Sequence, residues 1–403
     1  MTAPATTAAD PVAYDPYSYG IHEDPYPTYA RLRAEAPVYR NDEHGFWALS
    51  RHADVIDGFR DTATFSSAEG VSLDPTASGP HAHRTMSFLA MDPPRHGRMR
   101  ALVSRGFTPR RVHDLEPRIR TIAEGYVAEA VERGSLDFIA EVAGRLPMDV
   151  ISELVGVPMA DRAELRRLSD LLVHREDGVT DVPPAGMDAA LHLVGYYAEM
   201  IAQRRARRTN DLTSALLDAE IDGDRLDDSE IISFLFLMVV AGNETTTKLL
   251  GNAWYWAWRN PDERAKPFAE AARIPEWVEE TLRYDTSSQM LARVATNTVT
   301  RYGTTIPAGD RVLLLVGSAN RDADVFAEPD RYLIGRDTGA LASFGFGRHF
   351  CLGASLARLE ARVCLEELVR RVRDYDIDPD GIERVHSVNV RGLAALPTTV
   401  TAR

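Results

Sequence analysis

The stretch Phe344-Gly345-Phe346-Gly347-Arg348-His349-Phe350-Cys351-Leu352-Gly353 decides how the rest of this chain is read. Glycines at 345, 347 and 353 let the backbone approach something flat and large, because no side chain stands in the way. Cys351, between them, opens a helix. There the free N–H groups and the helix dipole favour a thiolate, which places Cys351 to ligate a metal. The same residues also read as a buried cysteine in a Gly-rich turn, since free cysteine is mostly core filler.

Three further constellations lie upstream. Glu280 and Arg283 stand three apart on a helix that starts near residue 275, so they share a face and can pair. Solvated helix faces carry such pairs too. Ala241-Gly242-Asn243-Glu244-Thr245-Thr246 follows the most apolar run of the chain, Ile231 to Ala241. An acid beside an alcohol there is costly to bury unless partnered or wet. Gly242 lets the helix loosen and admit water; alternatively, the helix simply emerges into solvent at Asn243. Finally, His96 and Arg100 lie four apart after Pro93-Pro94, two cationic groups on one helix face that a solvated surface equally explains.

Taken together and in this order, the four constellations resemble the cytochrome P450 superfamily. Its cysteine-loop pattern is matched by Phe344, Gly347, Cys351 and Gly353, its Glu-x-x-Arg pair by Glu280 and Arg283, and its oxygen-binding helix motif by residues 241–245. The resemblance runs from Asp24-Pro25-Tyr26-Pro27 through Asp92-Pro93-Pro94-Arg95-His96 to the final strands. It implies a mainly α fold with small β-sheets, one domain over 14–403 behind a flexible tail at 1–13. Cys351 becomes the thiolate ligand of haem b, and a thiolate's electron donation favours O–O cleavage. His96, Arg100, Arg293 and His349 match the positions that hold the haem propionates. Glu280 and Arg283 become a buried structural network joined to Asn320-Arg321-Asp322 and Pro329-Asp330, while Glu244 and Thr245 match the acid and alcohol that deliver protons during O2 activation.

The implied activity is insertion of one atom of O2 into a mid-sized hydrophobic molecule, by hydroxylation or epoxidation. The electrons come from NAD(P)H through a ferredoxin reductase and a ferredoxin, as in bacterial members. Phe234, Leu237, Val240, Ala241, Gln289, Met290 and Val390 are expected to wall the pocket, with loops at 70–90 and 174–184. Their mostly apolar character suits a polyketide, terpenoid or steroid-like skeleton. Two other readings are a peroxide-driven peroxygenase, which the intact Glu244-Thr245 pair opposes, and a haem-thiolate binding or sensing protein without turnover. Thr286-Ser287-Ser288 stands where bacterial members often carry Ser-Pro-Val, and Leu333 where an Asp is frequent.

Composition agrees with this reading. The 403 residues carry 46 Lys and Arg against 60 Asp and Glu, a formal charge of −14, which argues against a nucleic-acid partner. With 44% hydrophobic and 26% charged residues, the chain is of ordinary globular make-up. Cys351 and Cys364 form no CxxC pair and no secreted framework, so a cytoplasmic setting is expected. Residues 1–14 lack the Lys or Arg and the apolar run of a signal peptide, and the 231–241 run is too short to span a bilayer. Despite the net acidity, Arg105, Arg110, Arg111, Arg348, Arg358 and Arg362 gather where an acidic ferredoxin would dock; pairing with neighbouring acids such as Asp114, Glu116 and Glu360 is the alternative.

The pattern predicts a hairpin at 38–49 and a long unstructured stretch at 66–90. It further predicts helices over 111–133, 137–155, 159–175, 185–207, from 228, over 275–284 and over 351–375, and strands within 290–318.

Overall fold

A computed structural model describes residues 11–104, 107 and 109–403, without the side chains of Pro109 and Arg111. Most of the expected tail therefore lies outside the described residues, as does Arg105. The chain is mainly helical with small sheets. Eight helices position the site: α1 (Arg95–Ser104), α2 (Glu116–Arg133), α3 (Arg145–Val155), α4 (Arg162–Val173), α5 (Pro184–Ala206), α6 (Asp228–Arg259), α7 (Ile274–Tyr284) and α8 (Ala354–Arg371).

Helix α6 is the axle. Its start is fixed by a reciprocal cap: the Asp227 side chain accepts from the Glu230 N–H at 2.8 Å, and Glu230 accepts from the Asp227 N–H at 3.2 Å. Its 32 residues span about 48 Å. Helices α3, α4, α5, α7 and α8 pack around it, and Phe234, Leu235, Val239, Leu250 and Trp254 bury their side chains in that interface. Gly242 does not loosen the helix, which stays α-helical from end to end. Nor does the helix surface at Asn243, because Asn243 and Glu244 are each 1% exposed.

A five-stranded sheet lies to one side, in the order 38–41, 46–49, 311–314, 291–295, 65–66. The expected hairpin is present, with Val38 opposite Leu49 and Asn41 opposite Phe46. Strand 311–314 runs parallel to 46–49 and antiparallel to 291–295, pairing Val312 with Arg293. That register sets Arg293 in the cavity wall described below.

Several expected elements differ. The 137–155 helix divides into a strand at Ser135–Asp137, a π-helical turn at Ile139–Ala143 and α3, because Asp137 hydrogen-bonds the Ile139 and Ala140 N–H groups and diverts the chain. The last helix stops at Arg371, where Val372, Tyr375 and Ile377 go inward on a strand paired with 397–402. The 66–90 stretch holds short turns at Pro75–Ala77, His83–Met86 and Ser87–Ala90. It is tied to the loop after α4 by a buried pair, Arg175 Nε and Nη2 donating to Asp74 at 2.9 Å each. Among the described residues, no helix is long and apolar enough to cross a membrane.

Glu280 and Arg283 are not on a solvated face: both side chains are fully buried. Arg283 Nε and Nη2 donate to Glu280 at 2.8 Å, Nη1 donates to the Asn320 and Pro329 carbonyls, and Nη2 also reaches the Arg331 carbonyl. Glu280 accepts further from the Leu333 N–H at 2.7 Å and from Arg336. Thus Leu333 is held by its backbone, which its side-chain identity leaves untouched. Removing one charge from such a buried pair strands the other, at about 3–5 kcal/mol. Glu280→Gln is therefore expected to lower the thermal midpoint strongly when unfolding is followed by circular dichroism, whereas Glu164→Gln, on the exposed Arg167 pair, leaves it unchanged; equal midpoints for the two variants contradict this account.

Candidate active site

The same network reaches the cysteine loop. Asn320 accepts from the Ala342 N–H at 2.7 Å and donates to Ser343 Oγ at 2.8 Å, and Ser343 donates to the Leu282 carbonyl. From that anchor the loop turns over Gly345 and Gly347, whose φ of 65° and 69° suit glycine alone. It closes with the Cys351 N–H on the Phe344 carbonyl at 2.9 Å. Helix α8 begins three residues after Cys351, and the Gly353 and Ala354 N–H groups point at the sulfur. Burial pushes the Cys351 thiol up; those two N–H groups, Arg100 and Arg358 pull it down.

Cys351 opens into a cavity of about 1420 Å³ of atom-free space, counting its mouth open to solvent, walled by α6, α7, α8, the 286–291 segment and the end of the 66–90 stretch. Phe344, Gly345, Gly353, Arg293 and His349 line it. His96 packs against His349, ring centroids 4.2 Å apart and planes tilted by 47°. Arg100 lies over Phe88 and is near enough to Cys351 to feel its charge. Gly347 does not line the cavity; it packs against the Phe59 carbonyl and shapes the turn.

Cations crowd this wall. His96 Nε2, Arg100 Nη1, Arg293 Nη2 and both His349 nitrogens are buried without hydrogen-bond partners among the described residues. Burial, then neighbouring cations, push His349 down to about 3 and His96 to about 4, and burial lowers even Arg293 to about 10. Asp92, the acid whose charge reaches His96 and Arg293, is engaged by Ser66 Oγ and the Ser67 N–H. A planar dianion with a metal centre, carboxylates toward these groups and metal toward Cys351, meets every one of these needs.

Of the expected pocket residues, Leu237 and Ala241 line the cavity, as does Thr245, four residues on. Phe234 instead packs on Phe88 and Phe107, and Val240 faces away. Met290 is wholly buried among Tyr14, Tyr29 and Leu313, since strand alternation turns Leu291, not Met290, inward. Gln289 and Val390 border a separate small hollow near Tyr14 and His22. No residue of the 174–184 loop lines the main cavity, whereas Phe88 and Leu89 of the other loop do.

Glu244 is a correction of position. One residue from Thr245, it points about 100° around the helix and misses the cavity lining. It pairs with Lys248 at 3.1 Å, and both are buried. Thr245 Oγ1 donates to the Ala241 carbonyl at 2.8 Å, leaving its lone pairs to face the cavity.

Sequence reasoning singled out Ser287 only as part of an unusual tripeptide. Its Oγ donates to the Thr245 carbonyl at 2.7 Å, tying the 286–288 segment to α6 beside the cavity. Thr286, Ser287 and Ser288 all line the space. Glu360 went unassigned except as an ion-pair partner for nearby arginines, yet it is 3% exposed, lines the cavity and carries an unpartnered oxygen. Desolvation holds its carboxyl well above the usual range. Only proximity in space, not spacing in sequence, signals it. Cys364 is buried with its thiol pushed up to about 12, mainly by desolvation, as core packing requires.

Comparison with known proteins agrees with this geometry. A family model described as Cytochrome P450 matches residues 274–379, the segment from α7 through α8. The chain is 61% identical over 390 residues to cytochrome P450 123 of Mycobacterium tuberculosis, covering 96% of this chain and 97% of that one. It is 38% identical to the vitamin D(3) 25-hydroxylase of Pseudonocardia autotrophica, covering 99% of each. The structure of CYP109E1 from Bacillus megaterium in complex with testosterone superposes with a TM-score of 0.88 at 32% identity, over 95% of this chain and 99% of that one. With the cysteine loop, the buried Glu280–Arg283 pair and the cation-lined cavity in place, the chain belongs to the cytochrome P450 family of haem-dependent monooxygenases.

Proposed function

We propose that this chain hydroxylates or epoxidises a compact polycyclic substrate of steroid-like size, using haem b held by Cys351. The observation that carries the reading is a single apolar-walled cavity onto which Cys351 opens and which Arg293 and His349 line, with His96 packed against His349, Arg100 against Phe88, and at least one buried nitrogen on each of the four without a hydrogen-bond partner. Haem in that cavity would be held at its propionates by His96, Arg100, Arg293 and His349 and at its iron by Cys351, with Phe344 and Gly353 lining the cavity beside that cysteine. Haem bound there supplies the O2-activating chemistry that a polypeptide lacks.

The chain's own residues set the rest. Gly353 and Ala354 N–H groups stabilise sulfur charge, making Cys351 a thiolate at neutral pH once its burial cost is offset by a metal. Thr245 presents a hydroxyl to the cavity and passes protons inward; Glu244, behind it, supplies them. Leu89, Leu237, Leu291 and Val316 exclude water and favour an apolar skeleton, with Ser288 as a polar contact for one oxygen. The vitamin D(3) hydroxylase and the testosterone complex among similar proteins support a steroid-like ligand.

Electrons arrive, in this reading, from NAD(P)H through a reductase and an acidic ferredoxin on the face beneath Cys351. That patch is narrower than the sequence suggests. Arg358 is paired with Glu279, and Arg362 with Glu116 and Glu366. Arg110 and Arg348 are exposed and remain to steer a partner, while the Arg111 side chain lies outside the described residues.

Three outcomes follow. Cys351→His is expected to abolish the thiolate-type absorption of the reduced CO complex, whereas Cys364→Ala keeps it; the reverse pattern overturns the ligand assignment. Titration with testosterone is expected to shift the haem spin state in the ferric protein, and no shift with any of a panel of sterols and secosterols removes the substrate class. Reduction by a ferredoxin should slow steeply as added salt shortens the screening length to about 10 Å at 0.1 M, and Arg110→Glu with Arg348→Glu should slow it at low salt. A salt-independent rate removes the docking face.

A further inference from the structure

The segment that leaves α7 runs alongside α6 and is fastened to it at two levels. At the first, Asn252 Nδ2 donates to the Asp285 carbonyl and Trp256 Nε1 to the Asp285 carboxylate, each at 2.8 Å. That buried carboxylate is met as well by Tyr26 Oη at 2.6 Å and Arg391 Nε at 2.7 Å, so the tie is anchored to the body of the protein. At the second, about 10 Å nearer the start of α6, a single hydroxyl makes the contact: Ser287 Oγ donates to the Thr245 carbonyl at 2.7 Å. Thr245, Asn252 and Trp256 stand at i, i+7 and i+11, so one face of the helix carries all three. The Ser287 backbone is held for its contact. Its carbonyl accepts from the Arg391 N–H at 2.8 Å, Ser288 bridges to Val390, and the Gln289 N–H donates to the Asn389 carbonyl at 2.9 Å.

We propose that Ser287 is a positioning residue of this enzyme, fixing the Thr245 turn of α6 to the substrate-facing wall so that the Thr245 hydroxyl keeps its direction into the cavity. This rests on the reading of Thr245 as the alcohol of O2 activation. A helical carbonyl spends one lone pair on the N–H four residues on and keeps the other for a side-chain donor. At Thr245 that donor is Ser287. One turn earlier the Ala241 carbonyl takes the Thr245 hydroxyl at 2.8 Å, and a threonine bonded back to its own helix tends to bend it. Gly242 lies in the same turn, where its missing side chain lowers helix stability. The turn thus holds two loosening features and is nonetheless α-helical throughout, with the Ser287 bond bracing its last carbonyl from outside. Ser287 is 6% exposed and lines the cavity together with Ser288 and Leu291 of the same segment, so wall and helix turn keep one register. The feature belongs to this chain's own sequence: Thr286-Ser287-Ser288 stands where Ser-Pro-Val is frequent, and a proline side chain has no donor to offer the helix.

The test compares the haem-loaded enzyme with Ser287→Ala, Ser287→Thr, Thr245→Ala and Thr213→Val. Thr213 controls for the loss of a buried hydroxyl–carbonyl bond as such, since its Oγ1 donates to the Val155 carbonyl at 2.7 Å, away from the cavity. Amide hydrogen exchange followed by mass spectrometry is expected to show residues 241–249 exchanging severalfold faster in Ser287→Ala, with 228–240 unchanged and the parent rate restored in Ser287→Thr. In NADPH-driven turnover with a surrogate ferredoxin pair and testosterone as probe, Ser287→Ala is expected to release severalfold more hydrogen peroxide per NADPH, while the testosterone concentration that half-shifts the spin state stays within about twofold of the parent's. Ser287→Thr and Thr213→Val are expected to give the parent's peroxide yield. Parent-like exchange and peroxide in Ser287→Ala, with peroxide raised in Thr245→Ala, refute the role of Ser287 and leave the reading of Thr245 standing. Peroxide raised as much in Thr213→Val, or not brought back by Ser287→Thr, reduces the effect to general destabilisation and overturns the proposal. A parent-like yield in Thr245→Ala overturns the alcohol reading, and the positioning role with it.

Discussion

The buried Arg283 guanidinium is the interaction on which the site depends. A charged fork taken wholly out of water is tolerable only if its donors are met, and here Glu280 and three backbone carbonyls meet them. Those carbonyls, at Asn320, Pro329 and Arg331, belong to an irregular stretch with little sheet or helix pairing of its own. Through the Asn320 side chain the same anchor extends to Ala342 and Ser343, the residues from which the cysteine loop departs. The position of Cys351 is thus set by a polar network centred about seventy residues upstream in sequence.

Around the loop the electrostatics are lopsided. The chain as a whole carries −14, yet Arg293 and His349 at the cavity wall and His96 and Arg100 beside it gather in one place, and Asp92, the acid that acts on His96 and Arg293, is engaged by Ser66 and Ser67. Burial without counter-charge forces both histidines neutral and strains the arginines, a state that a dianionic group relieves. On the far side of α6 the balance inverts: the buried Glu244 carboxylate faces away from the cavity and is met by Lys248. Thr245 stands between the positive cavity wall and the acidic back of the helix, where a hydroxyl able to both donate and accept is useful.

How much of this was legible follows from the kind of signal each feature leaves. The cysteine loop and the Glu280–Arg283 spacing are local in sequence, and the structure bears out their geometry. The length and capping of α6 are also local, since Asp227 and Glu230 announce the start. Helical phase is not legible in the apolar run: Phe234 and Val240 lie in it beside Leu237 and Ala241 but on other faces, and an all-apolar run hides its periodicity. Met290 and Leu291 differ only in strand parity, which needs the 291–294 pairing with 311–314 to fix. Ser287, Glu360 and the partners of Arg358 and Arg362 come from distant segments, and no spacing rule brings them together.

The active-site reading turns on Cys351 as the iron ligand and on His96, Arg100, Arg293 and His349 as the propionate partners. A crystal structure of the purified haem protein, with the iron placed by its anomalous scattering, tests this most directly. The account predicts Cys351 Sγ bound to the iron and both propionates hydrogen-bonded among His96, Arg100, Arg293 and His349. Iron held by any other side chain, or propionates directed away from that cluster, would contradict it.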